Sequence, residues 1–168
     1  MKNAHATVLF SVIVEAPFGA IGIRTADSCL QELVYLPSSF SAKSADAADV
    51  LAAEAAAQVT RYLEDPDTIF DLPLPELGTP FQRKVWQAIA AIPRGKVLTY
   101  GQIAKQIHSA PRAVGQACGA NWFPLVIPCH RVTAANGLGG FAHHDDASGF
   151  HLSVKRWLLT HEGATGIL

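Results

Sequence analysis

A proline-rich, acidic stretch near the middle of the chain most constrains how this sequence can fold. Residues 65–80 contain four prolines and several acidic residues, with no helical or strand periodicity. Proline lacks an N–H and has a fixed φ, so such a run interrupts regular structure. We therefore predict two parts: an N-terminal α/β lobe over residues 1–78, with a linker from about residue 65, and a C-terminal domain over residues 79–168.

Net charge differs sharply between the two halves. Residues 1–80 hold four Lys/Arg and eleven Asp/Glu, a net charge of −7, whereas residues 81–168 hold nine and three, a net charge of +6. A basic region attracts polyanions, so the C-terminal half is the candidate for nucleic-acid binding, although a solvated surface gives the same count. The composition, 49% hydrophobic and 16% charged, excludes a disordered chain.

Cysteine usage and the N-terminal sequence bear on the cellular compartment. Cys29, Cys118 and Cys129 are an odd number of cysteines at wide spacing, which argues against a secreted disulfide scaffold and for a reducing compartment. The apolar run over residues 8–14 is far shorter than the ~20 residues of a membrane span and lacks the pattern of a signal peptide. We expect a cytoplasmic protein with no membrane segment.

The N-terminal lobe is predicted to be a small α+β unit. Two apolar runs, Val8–Val14 and Ala20–Arg24, flank turn residues at 16–19 and predict a hairpin, and Glu32–Leu36 predicts a third strand. Apolar residues recur at helical spacing between Ala47 and Leu63. The expectation is a three-stranded antiparallel sheet with one helix across it.

The C-terminal half is predicted to contain four helices, three of them closely spaced. Thr79 with Pro80 begins the first, Thr99 caps the second, and the third runs from about Pro111 to Ala120. This spacing is typical of a helix-turn-helix unit, and at this point nucleic-acid binding and purely structural packing both remain open. A final helix is predicted over about Leu152–His161.

One segment of the C-terminal half carries candidate chemistry. An apolar run from Leu125 leads into Cys129 and His130, which predicts a buried strand that ends in a thiol. Burial alone makes a thiol inert, so a reactive cysteine needs a proton acceptor, and His130 is the nearest in sequence. Neighbouring side chains on an extended segment point apart, so a water or a local turn has to connect the two. The carboxylates of the basic half that could orient the imidazole are Asp145, Asp146 and Glu162, and we expect Glu162 because it follows a helix with a strong apolar stripe. An ordinary buried cysteine is the alternative, and we interpret the other two cysteines as structural.

These residues resemble the active-site region of the O6-alkylguanine-DNA alkyltransferases, also called methylated-DNA–protein-cysteine methyltransferases. The signature is Pro-Cys-His-Arg-Val at 128–132. Supporting matches over about residues 79–163 are Tyr-Gly-Gln-Ile-Ala at 100–104, Arg-Ala-Val-Gly at 112–115, Asn121, Gly-Gly-Phe at 139–141, Lys-Arg-Trp-Leu-Leu at 155–159 and His-Glu-Gly at 161–163. The N-terminal half resembles the family only in the order of its elements.

The resemblance implies DNA repair by direct reversal of damage. Cys129 would take the alkyl group from O6 of guanine, and also from O4-methylthymine, in an irreversible reaction that consumes the protein. A relay of Glu162, His130 and a water would form the thiolate, and Asn121 would tie this network together. Tyr100 would supply a proton or a hydrogen-bond donor to the leaving guanine, and it would contact the phosphate of the target nucleotide. Some members of the family carry zinc in the N-terminal lobe, but we find no matching ligands in this sequence, so we expect no cofactor, no metal and a monomer.

The resemblance also implies double-stranded DNA as the partner, with the damaged nucleotide flipped out of the stack. The implied fold is α+β, with a C-terminal winged-helix-like helix-turn-helix domain that carries the active site and enters the minor groove. An arginine finger, matched by Arg112, would fill the gap in the stack. The expected DNA-binding residues are Arg112, Ala113, Gly115, Gln116, Tyr100 and Arg131.

The substrate pocket is expected to involve Pro124, Val132, Trp122 and Phe141. Trp122 and Phe123 stand where the family usually has proline, and we interpret both as packing residues. Phe141 stands where several relatives have tyrosine, so a hydroxyl donor is absent there. The segment 142–153 contains two histidines and two aspartates in succession, which we interpret as a solvated loop because adjacent ligands rarely converge on one ion.

Three other functions remain as alternatives. A non-catalytic alkyltransferase-like protein would have tryptophan at the nucleophile position, and Cys129 speaks against it. A cysteine hydrolase or acyltransferase using Cys129, His130 and Glu162 would form an acyl-enzyme and turn over, but leaves the basic half unexplained. A helix-turn-helix regulator would bind one DNA sequence far more tightly than others.

Overall fold

The computed structural model describes residues 8–38, 42–44, 49–139 and 149–165. The chain divides into two compact units, Met1–Pro75 and Glu76–Leu168. The predicted α+β class is confirmed, because the first unit holds a three-stranded antiparallel sheet with a helix and the second holds the expected helices. The separate functions assigned to the two parts stay predictions.

Five strands belong to the N-terminal unit. Strands β2, β3 and β4 form the antiparallel sheet in that order, and β1 pairs with β5 in parallel. Gly19, in the predicted hairpin turn, has a φ of +139°, and a Cβ there would collide with the carbonyl oxygen of Leu36, so the turn requires glycine. The strands are β1 (Val8–Phe10), β2 (Val12–Ala16), β3 (Gly19–Ala26), β4 (Cys29–Leu36) and β5 (Ala42–Ser44).

The single strand predicted over residues 8–14 is wrong, because the chain changes partner at Ser11. The Ser11 N–H donates to the carbonyl oxygen of Ile23 at 2.8 Å, and the Ser11 hydroxyl accepts from the Thr25 N–H at 3.0 Å. A serine side chain that binds the backbone in this way competes with a regular ladder. The apolar run therefore supplies two strands of two different sheets.

Helix α1 (Val50–Glu64) lies on the antiparallel sheet. Asp49 caps it by accepting a hydrogen bond from the Ala52 N–H at 2.6 Å. The predicted start at Ala47 lies outside the described residues. The buried face consists of Ala52, Ala55, Gln58, Val59 and Tyr62, which leaves one polar side chain on an otherwise apolar stripe.

That polar side chain corrects the interpretation of the linker. Gln58 donates to the carbonyl oxygen of Asp71 at 3.0 Å and accepts from the Asp71 N–H at 2.8 Å. The Leu30 N–H donates to the carbonyl oxygen of Pro73 at 2.8 Å, and Leu72 between them is buried. Residues 65–79 form no helix or strand, but the first part of this segment is packed on the N-terminal unit rather than free.

The C-terminal unit contains the four predicted helices and two short strands. Thr79 and Thr99 each form a capping box, with Gln82 and Gln102 respectively, as their positions in the sequence predict. The elements are α2 (Pro80–Ala90), β6 (Leu98–Thr99), α3 (Tyr100–Gln106), α4 (Pro111–Gly119), β7 (Val132–Thr133) and α5 (Phe150–His161). Helices α3 and α4, joined by residues 107–110, form the helix-turn-helix.

Two contacts position the helices and strands around Cys129. Strands β6 and β7 pair in parallel, with Leu98 opposite Val132, so the start of α3 lies beside the residues that follow Cys129. Trp86 of α2 donates its Nε1–H to the carbonyl oxygen of Ala117 at 2.8 Å, which ties α4 to α2 in the core.

The predicted wing lies largely outside the described residues. Ala134 and Gly137 form an isolated antiparallel bridge, and residues 140–148 are not described. Among the helices that the structure does describe, none is both long enough and apolar enough to cross a membrane. Localisation in the cytoplasm stays a prediction.

Candidate active site

The segment before Cys129 is a turn rather than the predicted strand. The Ile127 N–H donates to the carbonyl oxygen of Phe123 at 2.8 Å, and Leu125 has a φ of +72°, a costly conformation for leucine. Asn121 fastens the turn, because its Oδ1 accepts from the Phe123 N–H at 2.8 Å and its Nδ2 donates to the carbonyl oxygen of Ile127 at 2.9 Å. These side-chain bonds replace the strand pairing that the apolar run suggested.

Cys129 begins a short 3-10 helix, Cys129–Arg131, and its side chain is nearly enclosed, with 6% of the residue exposed. The same Nδ2 of Asn121 also donates to the Sγ of Cys129 at 3.1 Å. The thiol in turn donates to the carbonyl oxygen of Cys118 at 3.6 Å. Asn121 therefore shapes the turn and aims a hydrogen-bond donor at the sulfur.

His130 and Glu162 form a buried pair. The Nε2 of His130 lies 2.8 Å from the Oε2 of Glu162, and neither side chain reaches solvent. Burial lowers the pKa of His130, and hydrogen bonding to Glu162 only partly opposes this, so the imidazole is neutral at pH 7. Because Nε2 faces a carboxylate, it carries the proton. The Nδ1 atom is left as an acceptor, buried and with no hydrogen-bond partner among the described residues.

Arg131 holds the carboxylate of Glu162 in place. Its Nε donates to Oε1 at 2.9 Å and its Nη2 donates to Oε2 at 3.0 Å, while its Nη1 donates to the carbonyl oxygen of Ile92 at 2.7 Å. Such a two-pronged contact fixes the orientation of a carboxylate. The guanidinium is thus engaged inside the protein, which differs from its predicted role in DNA binding.

Tyr100 occupies the first position of α3, next to the site. Burial raises the pKa of Tyr100, so its phenol is protonated at neutral pH and carries a proton that it can donate. Gly139 has a φ of +73°, and a Cβ there would lie 3.0 Å from the Cε2 of Tyr100. A side chain at residue 139 would therefore displace the tyrosine ring.

Sequence reasoning gave no role to Lys155, which the structure places in the core of the C-terminal unit. The residue is 0% exposed, and its Nζ lies 5.9 Å from the centre of the Tyr100 ring. Burial lowers the pKa of Lys155 to about 8, while negative charge on Cys118 and Cys129 acts in the opposite direction. The sequence feature that could have indicated this burial is the position of the lysine within the apolar stripe of α5, between Val154 and Leu158.

Cys118, interpreted from sequence as structural, also lies at the site. The Cys129 Sγ lies 3.6 Å from its carbonyl oxygen, and hydrogen bonding to Cys129 together with burial raises the pKa of the Cys118 thiol. The two residues are eleven apart in sequence, in a helix and in a turn, so no local pattern links them.

The predicted DNA-contacting residues of α4 divide between two faces. Arg112 and Gln116 are exposed, and Ala113 and Gly115 are half-buried. A Cβ on Gly115 would lie 4.0 Å from the Tyr100 ring, which puts this helix beside the tyrosine. One face of α4 is therefore open and polar, and the role of these residues in DNA binding stays a prediction.

The structure describes three of the four predicted pocket residues. Val132 is buried and Pro124 is half-buried, whereas Trp122 is 51% exposed. The packing interpretation holds for Phe123, which is buried, and fails for Trp122. Phe141 and the histidines and aspartates of residues 143–146 lie outside the described residues. Within the described ranges, no group of three or more His, Cys, Asp or Glu side chains is placed to hold a metal ion.

The fold and the site together define a class: α+β proteins in which a helix-turn-helix unit holds a buried cysteine in a turn, with a histidine–glutamate pair behind it. The sequence model of the family described as "6-O-methylguanine DNA methyltransferase, DNA binding domain" matches residues 80–164. The chain belongs to this family, which confirms the resemblance seen in the sequence.

Individual relatives support the same assignment. The chain is 53% identical over 89 residues to a methylated-DNA–protein-cysteine methyltransferase of Salmonella typhimurium, covering 51% of this chain and 48% of that protein. It is 39% identical over 147 residues to the regulatory protein ada of the same organism, covering 86% of this chain and 39% of that protein. The chain thus spans about half the length, or less, of these curated relatives.

A solved structure extends the likeness to both units. The crystal structure of Mycobacterium tuberculosis OGT in complex with DNA is 34% identical to this chain, with a TM-score of 0.73. The match covers 90% of this chain and 91% of that one. The N-terminal unit, which resembles the family only weakly in sequence, is therefore included in the structural match.

Proposed function

We propose that this protein repairs alkylated DNA by transferring the O6-alkyl group of guanine to Cys129 in a single irreversible turnover. The observation that carries the proposal is the position of the Cys129 sulfur, which receives a hydrogen bond from Asn121 and lies next in sequence to the buried His130–Glu162 pair. The names of the relatives and the DNA-bound structure of the mycobacterial protein support it.

Thiolate formation comes first. The proton of Cys129 passes through a bridging water to the Nδ1 of His130, the acceptor that the Glu162 contact leaves available. The resulting imidazolium is stabilised by the Glu162 carboxylate, which Arg131 holds in place. A positioned general base of this kind contributes about 10²–10⁴-fold to a rate.

Alkyl transfer follows as an in-line displacement. The thiolate sulfur forms a bond to the alkyl carbon, the bond from that carbon to O6 breaks, and its electron pair stays on the guanine. Tyr100 donates a hydrogen bond to the leaving base, since burial raises the pKa of Tyr100 and keeps the phenol protonated. The positive charge of Lys155, near the Tyr100 ring, favours the same anionic states. The product thioether is stable, so the protein is spent.

Double-stranded DNA containing O6-alkylguanine is the proposed partner. The exposed Arg112 and Gln116 put polar groups on the open face of α4, where Arg112 fills the gap that the flipped nucleotide leaves. O4-methylthymine presents the same kind of exocyclic ether, and we propose it as a second substrate. One chain supplies every residue of the proposed site, and we propose that the protein acts as a monomer.

The geometry favours alkyl transfer over a cysteine hydrolase. A hydrolase triad places the imidazole directly against the thiol. Here the His130 Nδ1 has no hydrogen-bond partner among the described residues, and the Cys129 thiol donates to the carbonyl oxygen of Cys118. A base that acts through water suits one slow, final alkylation better than repeated acyl transfer.

Mass spectrometry after exposure to modified DNA tests the proposal. The protein is incubated with a duplex carrying one O6-methylguanine, and the peptide containing Cys129 is expected to become heavier by one methyl group. Cys129→Ser should take up no methyl, whereas Cys29→Ser, a change in the other unit, should react as the wild type does. Demethylation by a folded Cys129→Ser protein, or turnover beyond one equivalent, would contradict the proposal. A duplex carrying O4-methylthymine tests the second substrate.

A further inference from the structure

Cys118 and Cys129 form a pair of thiols at the candidate active site. The Sγ of Cys129 lies 3.6 Å from the carbonyl oxygen of Cys118, so the reactive sulfur is in direct contact with the second cysteine residue. Asn121 connects the two residues, because its N–H donates to the carbonyl oxygen of Cys118 at 3.2 Å and its Nδ2 donates to the Cys129 Sγ at 3.1 Å. Both cysteines are free thiols.

The two thiols are not equivalent. The hydrogen bond to Cys129, burial and the charge of Cys129 all raise the pKa of Cys118, while the positive charge of Lys155 lowers it. Cys118 therefore remains a neutral thiol while Cys129 carries charge. Oxidation of Cys129 to a neutral sulfenic acid removes that charge, which is one of the causes that raise the pKa of Cys118.

We propose that Cys118 is the resolving thiol for an oxidised Cys129. A hydroperoxide oxidises the Cys129 thiolate to a sulfenic acid, with the displaced peroxide oxygen leaving as water or an alcohol once it takes up a proton. The Cys118 sulfur then attacks the sulfenic sulfur, the S–S bond forms, the S–O bond breaks, and the hydroxyl leaves as water with the Cys118 proton. The inference rests on the proposed function, because it concerns oxidation of the same sulfur before it reacts with damaged DNA.

A disulfide at this point preserves a nucleophile that acts only once. Sulfenic acid that is not captured goes on to sulfinic and sulfonic acids, which thiol reductants do not reverse. A disulfide is reversed by thiol–disulfide exchange, which restores both thiols. Cys118 thus provides a reversible modification site whose substrate is a hydroperoxide and whose product is an intramolecular disulfide.

Peroxide treatment of the reduced full-length protein tests this inference. Wild type, Cys118→Ser and the matched control Cys29→Ser are treated with hydrogen peroxide, remaining thiols are blocked with iodoacetamide, and peptides are mapped without reduction. Wild type and Cys29→Ser should yield a linked Cys118–Cys129 peptide, lose methyl transfer, and regain it after dithiothreitol. Cys118→Ser should carry sulfinic acid at Cys129 and lose methyl transfer permanently.

Two results would overturn the inference: wild type with over-oxidised Cys129 and no linked peptide, or full recovery of folded Cys118→Ser by dithiothreitol. If Cys118→Ser does not fold, as judged by circular dichroism, Cys118→Ala replaces it, and the wild-type peptide map decides by itself. Methyl uptake by the untreated reduced protein separates the two proposals. Normal uptake without a linked peptide removes only the inference, and a linked peptide without uptake removes only the proposed function.

Discussion

The Glu162 carboxylate accepts a hydrogen bond from the Nε2 of His130 at 2.8 Å, inside the protein and across a sequence separation of 32 residues. Arg131 binds both oxygens of the same carboxylate. A buried carboxylate with two such partners keeps its orientation. The histidine is thereby fixed in one tautomer, with Nδ1 as the acceptor.

Glu162→Gln should slow methyl transfer by about 10²-fold, because the imidazolium loses its counter-charge. DNA affinity, measured by fluorescence anisotropy with a methylated duplex, should stay at the wild-type value. The free energy of unfolding should fall by about 3–5 kcal/mol, since the change leaves the Arg131 charge without its partner. Glu64→Gln, at an exposed position of α1, is the control and should change neither quantity. A parallel loss of DNA affinity would show that Glu162 acts on binding instead.

Asn121→Ala should affect both stability and thiol reactivity. It leaves the Phe123 N–H and the Ile127 carbonyl oxygen without their partner, at a cost of about 1–3 kcal/mol in urea unfolding. It also removes the donor to Cys129, so alkylation of that cysteine by iodoacetamide should slow down. Asn136→Ala, at an exposed position, should stay within about 0.5 kcal/mol of wild type. An unchanged iodoacetamide rate in Asn121→Ala would mean that the amide does not activate the sulfur.

Arg112→Ala should weaken the reaction with duplex DNA more than the reaction with free O6-benzylguanine. The free base needs no flipping, whereas flipping in a duplex costs a few kcal/mol, so a difference of about tenfold or more between the two substrates is expected. Single-turnover rates with each substrate provide the measurement. Arg83→Ala removes an exposed arginine from α2 and controls for general electrostatics. Equal losses on both substrates would remove Arg112 from the flipping step.

The stability of the C-terminal unit should decrease as pH falls below about 6.5, the ordinary histidine value. Burial lowers the pKa of His130 in the folded state, so the unfolded chain takes up this proton at a higher pH than the folded protein does. The contribution is fully present above the unfolded pKa and is lost as pH falls, with a slope of up to about 1.4 kcal/mol per pH unit. Urea unfolding across this range measures it.

A variant pair isolates the histidine responsible. His130→Gln removes the imidazole at residue 130 and should flatten the pH dependence of the free energy of unfolding. His108→Gln changes an exposed histidine and should keep the wild-type slope. The same slope in both variants would assign the pH dependence to another group.

Local features of the C-terminal half were predictable because their hydrogen bonds span only a few residues. Thr79 and Thr99 begin their helices through bonds to residues three positions ahead, and a proline or glycine marks several other boundaries. Errors occurred where an apolar run carried the prediction alone. The runs at residues 8–14 and at Leu125–Ile127 were both interpreted as single strands, but Ser11 and Asn121 redirect the backbone through side-chain hydrogen bonds.

The sequence by itself determined the α+β class, the starts of the helices capped by Thr79 and Thr99, the division of charge and the Pro-Cys-His-Arg-Val signature, since each is written in neighbouring residues. Only the tertiary structure decided which groups meet at the sulfur. Arg131 reaches Glu162 rather than an outer surface, Lys155 is enclosed, and Cys118 contacts Cys129. The physical reason is that these contacts join residues far apart in the chain, and their direction depends on how α4, α5 and the turn at Asn121 pack together.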